Sequence, residues 1–407
     1  MMRISTSMIY DSSVTAMNQQ QSRLLQTQQQ LATGRRLLNP AIDPAAAAQA
    51  LDITQADAIN TQYTANRTSA MNTLTQTDTT LQSITAVLQN ARANLITAGN
   101  SSLTNANRQS LATSLNGQLQ QLVGLANSTD GTGSYMFSGF QSKTQPISDT
   151  AAGYAYFGDA GQKMVQISSG QQIAATQSGA DIFMRVKNGN GTFVTQFAAA
   201  NTGSGVASQG SVVNPAALTG NSYGVTFAVA AGVTTYIVTN TTTGLPVAGM
   251  TAQPYTSGQA IGFDGMQFSV QGAPANGDSF SVAPSSNVSL FKAIADVITT
   301  LNTPITAGNA AQSAALSAGV SNAINNLDRG MQNVSVANAA VGSNLQIIDS
   351  TQTTGDSLGL NYKQSLSLLQ DTNFAQAATD LAQQQLALQV AQKSFAQVSG
   401  LSLFTYL

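Results

Sequence analysis

The chain has 407 residues, a net charge of −2 and only 8% charged side chains, against about 25% in ordinary soluble domains. His, Cys and Trp are absent, and all seventeen acidic residues are Asp. These absences exclude a Ser-His-Asp triad, a cysteine nucleophile and a Cys/His zinc site, so neither an enzyme nor a cofactor is expected. The fifteen Lys and Arg are scattered rather than striped, which argues against nucleic acid as a partner. No apolar run reaches the roughly eighteen residues of a membrane span, and no membrane partner is expected. The opening Met1-Met2-Arg3-Ile4-Ser5-Thr6-Ser7 lacks the apolar core of a cleaved signal peptide. Amides and hydroxyls desolvate more easily than charges, so this composition suits a subunit covered by neighbours.

From about Ile9 to Leu38 large apolar residues recur every seven positions, at Tyr10, Met17, Leu24, Leu31 and Leu38. Their companions Gln21, Gln28 and Arg35 are polar, which predicts a helix with a narrow stripe. Gly34, Asn39 and Pro40 break the pattern. Asp43-Pro44 then reads as an N-cap followed by Pro at the first helical position. A long helix is expected from there to Gly99, with Leu74, Leu81, Leu88 and Leu95 again at sevenfold spacing. Thr104 starts a shorter helix carrying Leu111, Leu115, Leu119, Leu122 and Leu125.

After Gly133 the character changes to Gly, Thr, Val and aromatic residues. Tyr223, Val225, Phe227 and Val229 alternate, as do Met266, Phe268 and Val270, which predicts half-buried strands. Asn188-Gly189, Asn190-Gly191 and Asn276-Gly277 are hairpin-type turn signals. Residues 188–284 are read as a compact β domain of sandwich type, preceded by a smaller hairpin region from about 135 to 187.

Helical periodicity returns at Leu290, Ile294, Val297, Ile298 and Leu301 and stops before Pro304. Val320, Leu327, Val334, Val341 and Ile348 then keep the sevenfold spacing, and Gly355 and Gly359 are expected to interrupt it. A last helix carries Phe374, Leu381, Leu388 and Phe395, with Ala or Gln between them. The fold class is therefore α+β: a long antiparallel helical bundle formed by both chain ends, with a β-rich outer domain inserted between them. The expected divisions are 1–42, the N-terminal helix of an inner coiled-coil layer, and 43–187, helical with a hairpin region. The β insert at 188–284, a second helical part at 285–365 and the C-terminal helix at 366–407 complete them.

A narrow stripe cannot bury itself, and a short isolated helix is marginal in water. The terminal helices are expected to be disordered alone and to order when other copies cover them. Asp264 and Asp278 lie in Gly-rich turns and are read as turn residues rather than a carboxylate pair or calcium site. Arg35-Arg36 is either a contact to a neighbour or a pair of cations favoured at a helix C-terminus.

Several motifs together resemble the flagellin family, and within it the hook-associated members. Met2-Arg3-Ile4-Ser5-Thr6 is similar to the family's opening. Leu31-Ala32-Thr33-Gly34-Arg35-Arg36, Asn39-Pro40 and Asp43-Pro44-Ala45 resemble the joint between its first two helices, with Ala41-Ile42 standing where the family has Ser-Asp. Tyr135-Met136-Phe137-Ser138-Gly139 and Pro274-Ala275-Asn276-Gly277-Asp278-Ser279-Phe280 match its hairpin start and an outer-domain turn. Asp371-Thr372-Asn373-Phe374 with Ala377-Ala378-Thr379-Asp380-Leu381 resembles the start of its last helix. Ser402-Leu403-Phe404-Thr405-Tyr406-Leu407 resembles its ending, with Phe404 and Thr405 as departures.

The resemblance implies an extracellular structural subunit of the bacterial flagellum. It would be exported unfolded through the flagellar apparatus without a cleaved signal peptide, after an export chaperone has held its C-terminal region. Copies would form a ring-like layer joining a neighbouring hook-associated protein to the flagellin filament. The expected assembly interface is Tyr10, Met17, Leu24, Leu31, Leu38, Phe374, Leu381, Leu388, Phe395, Leu403 and Leu407. Two alternatives remain open: a filament-forming flagellin, and a surface glycan- or ligand-binding module carried by the β insert.

Overall fold

The computed structural model describes residues 6–151 and 153–400. Among them are six α-helices: α1 Thr6–Thr33, α2 Pro44–Ala98, α3 Asn105–Ala126, α4 Leu290–Asn302, α5 Ala310–Gln370 and α6 Phe374–Gly400. All the strands fall between Ile147 and Val288, so the architecture is α+β with the strands inserted between two helical flanks.

The helix boundaries follow their signals. Gly34 takes a left-handed φ of +69° and ends α1. Leu38 therefore lies in the connector and does not extend the α1 stripe, contrary to the sevenfold count. Asp43 Oδ1 accepts the Ala46 N–H at 3.1 Å and starts α2. Asn39 Oδ1 accepts the Ala41 N–H at 3.1 Å, so the turn keeps its side-chain bond with Ala41-Ile42 in place. Thr104 and Ser289 cap α3 and α4 in the same way, accepting from Asn107 and Lys292.

One helical expectation fails. Gly355 and Gly359 do not interrupt α5, which continues to Gln370. A helical Gly costs only about 1 kcal/mol, and here the bare backbone has a use. The Asn60 amide of α2 donates to the Gly355 carbonyl at 2.8 Å.

The described chain divides into two compact units, Met1–Asn66 with Ser350–Leu407, and Arg67–Asp349. In the second unit Leu74, Leu81, Leu88 and Leu95 of α2 are fully buried, as are Leu115, Leu122, Leu327, Val334 and Val341 of α3 and α5. Phe137, Phe183 and Phe291 extend this core under the hairpins Ile147–Thr150 with Gly153–Tyr156 and Met164–Ser168 with Gln171–Ala174. A short π-helical turn, Ala180–Met184, which periodicity did not signal, carries Phe183.

The β region has two sheets over one core. The strand Tyr223–Ala230 lies between Val233–Asn240 and Ser279–Pro284, with Phe193–Phe197 at the edge. The second sheet pairs Ala260–Phe263 with Met266–Gln271. Tyr223, Val225 and Phe227 meet Phe263, Phe268, Val270 and Phe280 between them, the inward half of each alternation.

The turns fall elsewhere than the Asn-Gly signals suggested. Hairpins close at Ala231-Gly232 and Asp264-Gly265, with φ values of +49° and +78°, and +44° and +78°. Positive φ at both central residues is the geometry that matches strand twist. Asn276-Gly277 instead passes from one sheet to the other. Asn188 to Gly191 joins Val186–Lys187 and Phe193–Phe197, which pair with different strands.

Candidate functional site

The terminal helices α1 and α6 pack on each other. The Tyr10 and Phe395 rings meet edge-on with centroids 4.7 Å apart, and the Gln20 amide donates to the Gln384 carbonyl at 3.3 Å. At the other end Thr372 N–H donates to the Gly34 carbonyl at 2.9 Å. These contacts set one antiparallel register in which Met17 comes level with Leu388, Leu24 with Leu381 and Thr27 with Ala377. Layers of large apolar side chains thus alternate with layers of small or polar ones.

The second row of this seam is Gln20 and Thr27 on α1, not the expected Gln21 and Gln28, which are exposed. On α6 it is Ala377, Gln384 and Ala391. An i+3 companion count, rather than i+4, would have found Gln20 and Thr27. Thr27 and Ala377 are buried, whereas Met17, Leu24, Leu31, Leu381, Leu388 and Phe395 stay half-buried and Tyr10 is 48% exposed. Phe374 opens α6, exposed, with its ring beside Gly34. Leu403 and Leu407 lie outside the described residues.

Identical sevenfold spacing gives full burial along the second unit's helices and partial burial here, because α3, α4 and the hairpins cover only the former. A further apolar pair lies off the seam, since Leu386 and Val390, one turn apart on α6, are 62% and 55% exposed. Leu25 on α1 is exposed as well. Among the described residues no ion pair links α1 to α6, and Gln384 Oε1 is buried with no donor. The seam relies on a thin apolar contact and carries one polar layer that weakens it.

The other candidates resolve into structural roles. Arg36 donates through Nη2 to the Leu369 carbonyl at 2.8 Å, so it serves the C-terminus of α5 rather than of its own helix. Arg35 forms a backbone bridge with Asp371. Asp264 accepts the Tyr223 hydroxyl at 2.6 Å. Asp278 is buried and accepts the N–H groups of Thr202, Gly203 and Ala275 at 2.8, 3.0 and 2.8 Å. Each carboxylate fixes a turn.

Residues 4–142 match the bacterial flagellin N-terminal helical region, and residues 197–284 match the D2-like domain of flagellar hook-associated protein 1. The crystal structure of flagellar hook-associated protein 3 from Legionella pneumophila superposes with a TM-score of 0.73 at 32% identity, over 78% of this chain and 98% of that one. The chain belongs to the flagellar hook-associated protein 3 family. Flagellar hook-associated protein 3 of Escherichia coli is 26% identical over 99% of both chains. That of Salmonella typhimurium is 38% identical over 45% of this chain, an alignment spanning 57% of the Salmonella protein. Membership of the hook-associated protein 3 family makes the chain a structural protein of the bacterial flagellum.

Proposed function

We propose that the chain is a non-catalytic axial subunit at the hook–filament junction. Its terminal helices complete their apolar cover with those of other copies, in a ring-like layer between a neighbouring hook-associated protein and flagellin. The observation that carries this reading is the half-buried seam of α1 and α6 together with exposed Leu386 and Val390. Apolar rows of that extent need a partner surface. On this reading the subunit leaves the cell unfolded, without a cleaved signal peptide, with a chaperone on its C-terminal region, and residues 188–284 face outward. A marginal terminal pair suits such export because little stability opposes its unfolding.

A deletion strain tests the role. Hooks without filaments and flagellin released to the medium are expected, with both defects reversed when the gene is supplied. Normal filaments in the deletion strain would refute it.

A further inference from the structure

Arg108 lies in the first turn of α3 and is 5% exposed. Among the described residues no carboxylate comes within ion-pair distance of it. A guanidinium has five N–H donors, and two of them find partners. Nη1 donates to the Leu103 carbonyl at 2.8 Å and Nη2 to Asn105 Oδ1. Nε is buried without an acceptor. Arg92 in the same unit shows the arrangement that Arg108 lacks. Its Nε and Nη2 lie 2.6 and 3.4 Å from the two oxygens of Asp328, fork to carboxylate.

The side chain of Arg108 borders a cavity of about 330 Å³ whose lining includes Ser101, Thr104, Thr306, Ser313 and Ser317 but no Asp. The wall is fixed. Asn105 Oδ1 accepts the Ile305 N–H at 3.0 Å, and Asn105 Nδ2 donates to the Ile305 carbonyl at 3.2 Å. The start of α3 adds the positive end of a helix dipole to the positive charge of the guanidinium. A buried cation with unused donors is costly unless an anion compensates it. Ser313 and Ser317 donate their hydroxyls to the Asn309 and Ser313 carbonyls, which leaves those of Ser101, Thr104 and Thr306 as further donors for oxygen atoms.

We propose that this cavity is an oxyanion site, in which Arg108 offers the remaining N–H groups of its two terminal nitrogens to a carboxylate or phosphate group. The group arrives either as a free ion or on an aspartate of a second copy of the chain. Only the second source rests on the assembly reading above, so the two are tested apart.

The test uses the full-length, isotope-labelled chain in dilute solution, with inorganic phosphate replacing chloride at constant ionic strength. Saturable shifts of the Asn105–Arg108 amides and of the Arg108 Nε–H are expected. Arg108→Lys keeps the charge without the fork and should weaken the response by about tenfold, and Arg108→Gln should abolish it. If Arg108→Gln fails to fold, Arg108→Lys carries the comparison. A second series without phosphate raises the protein concentration. Shifts of the same amides that phosphate reverses would assign the group to another copy. Absence of both responses, or responses unchanged in the variants, would overturn the proposal.

Discussion

The Arg36 guanidinium donates to the Leu369 carbonyl at 2.8 Å, and the Arg36 backbone N–H donates to the Gln370 carbonyl at 2.7 Å. The connector that follows α1 thereby satisfies carbonyls of the last turn of α5, which the helix itself leaves open. Arg36→Ala should destabilise the unit built from the chain ends by about 1 kcal/mol, below the usual range for a charged donor, because the group is partly exposed. Its ion pair with Asp43, at 3.6 Å with both side chains about 40% exposed, adds little. Hydrogen exchange checks this: Asp371 and Thr372 should lose protection while Leu119 and Leu327 keep theirs. Uniform loss across both units would contradict the local role.

Helical glycines divide by what a methyl group would meet. A Cβ at Gly117 or Gly124 of α3, or at Gly342 of α5, has nothing within 4 Å. Alanine there should stabilise by roughly 0.5–1 kcal/mol each, through helix propensity. At Gly330 a Cβ would collide with the Leu290 side chain, which is fully buried at the start of α4. Gly330→Ala should therefore destabilise, by roughly 1–3 kcal/mol. Thermal unfolding of the four variants gives the sign directly, and a stabilised Gly330→Ala would show that α4 can move away.

Helix positions were legible because their signals are local. Asp43-Pro44, Thr104 and the sevenfold rows each act within a turn or two, and the helices begin where those signals stand. Glycine inside α5 misled because intrinsic cost was weighed without the Asn60 bond to the Gly355 carbonyl, which lies 295 residues away. The Asn-Gly turns misled for a related reason. In Asn276-Gly277 only Gly277 takes a positive φ, at +87°, and strand order sends the next strand into the other sheet. The rows of the seam were legible from spacing. The alternation of large and small layers was not, because it appears only when α1 and α6 are set in register.

Leu386 and Val390 separate assembly from folding. Both are exposed and off the seam, so Leu386→Gln with Val390→Gln should change stability by at most about 0.5 kcal/mol. Motility in a complemented deletion strain should nevertheless fall sharply. Leu388→Gln lies on the seam and should lower both stability, by roughly 1–3 kcal/mol, and motility. Circular dichroism melts beside swimming assays distinguish the cases. Full motility with the exposed pair replaced would show that this face of α6 meets no partner.

The loop around Asp159 should respond to pH in both directions. The N–H groups of Phe140 and Gly161 donate to Asp159 Oδ1 at 3.0 and 2.7 Å and hold the carboxyl below its ordinary range. A depressed folded pKa contributes stability that is complete above the unfolded value near 3.9 and is lost as pH falls through the folded value. Burial, with the Asp159 charge adding to it, pushes the Tyr156 phenol up to about 12. Its hydroxyl oxygen lies 2.8 Å from the carbonyl oxygens of both Phe137 and Asp159. A raised phenol pKa contributes stability present below the unfolded value of about 10 and lost as pH rises through the folded one. The hairpin region should therefore loosen below about pH 4 and again between about pH 10 and 12. Asp159→Asn should flatten the acid limb and Tyr156→Phe the alkaline one, as read by amide exchange at Phe140 and Gly161. Acid and alkaline limbs unchanged in these variants would place the titrating groups elsewhere.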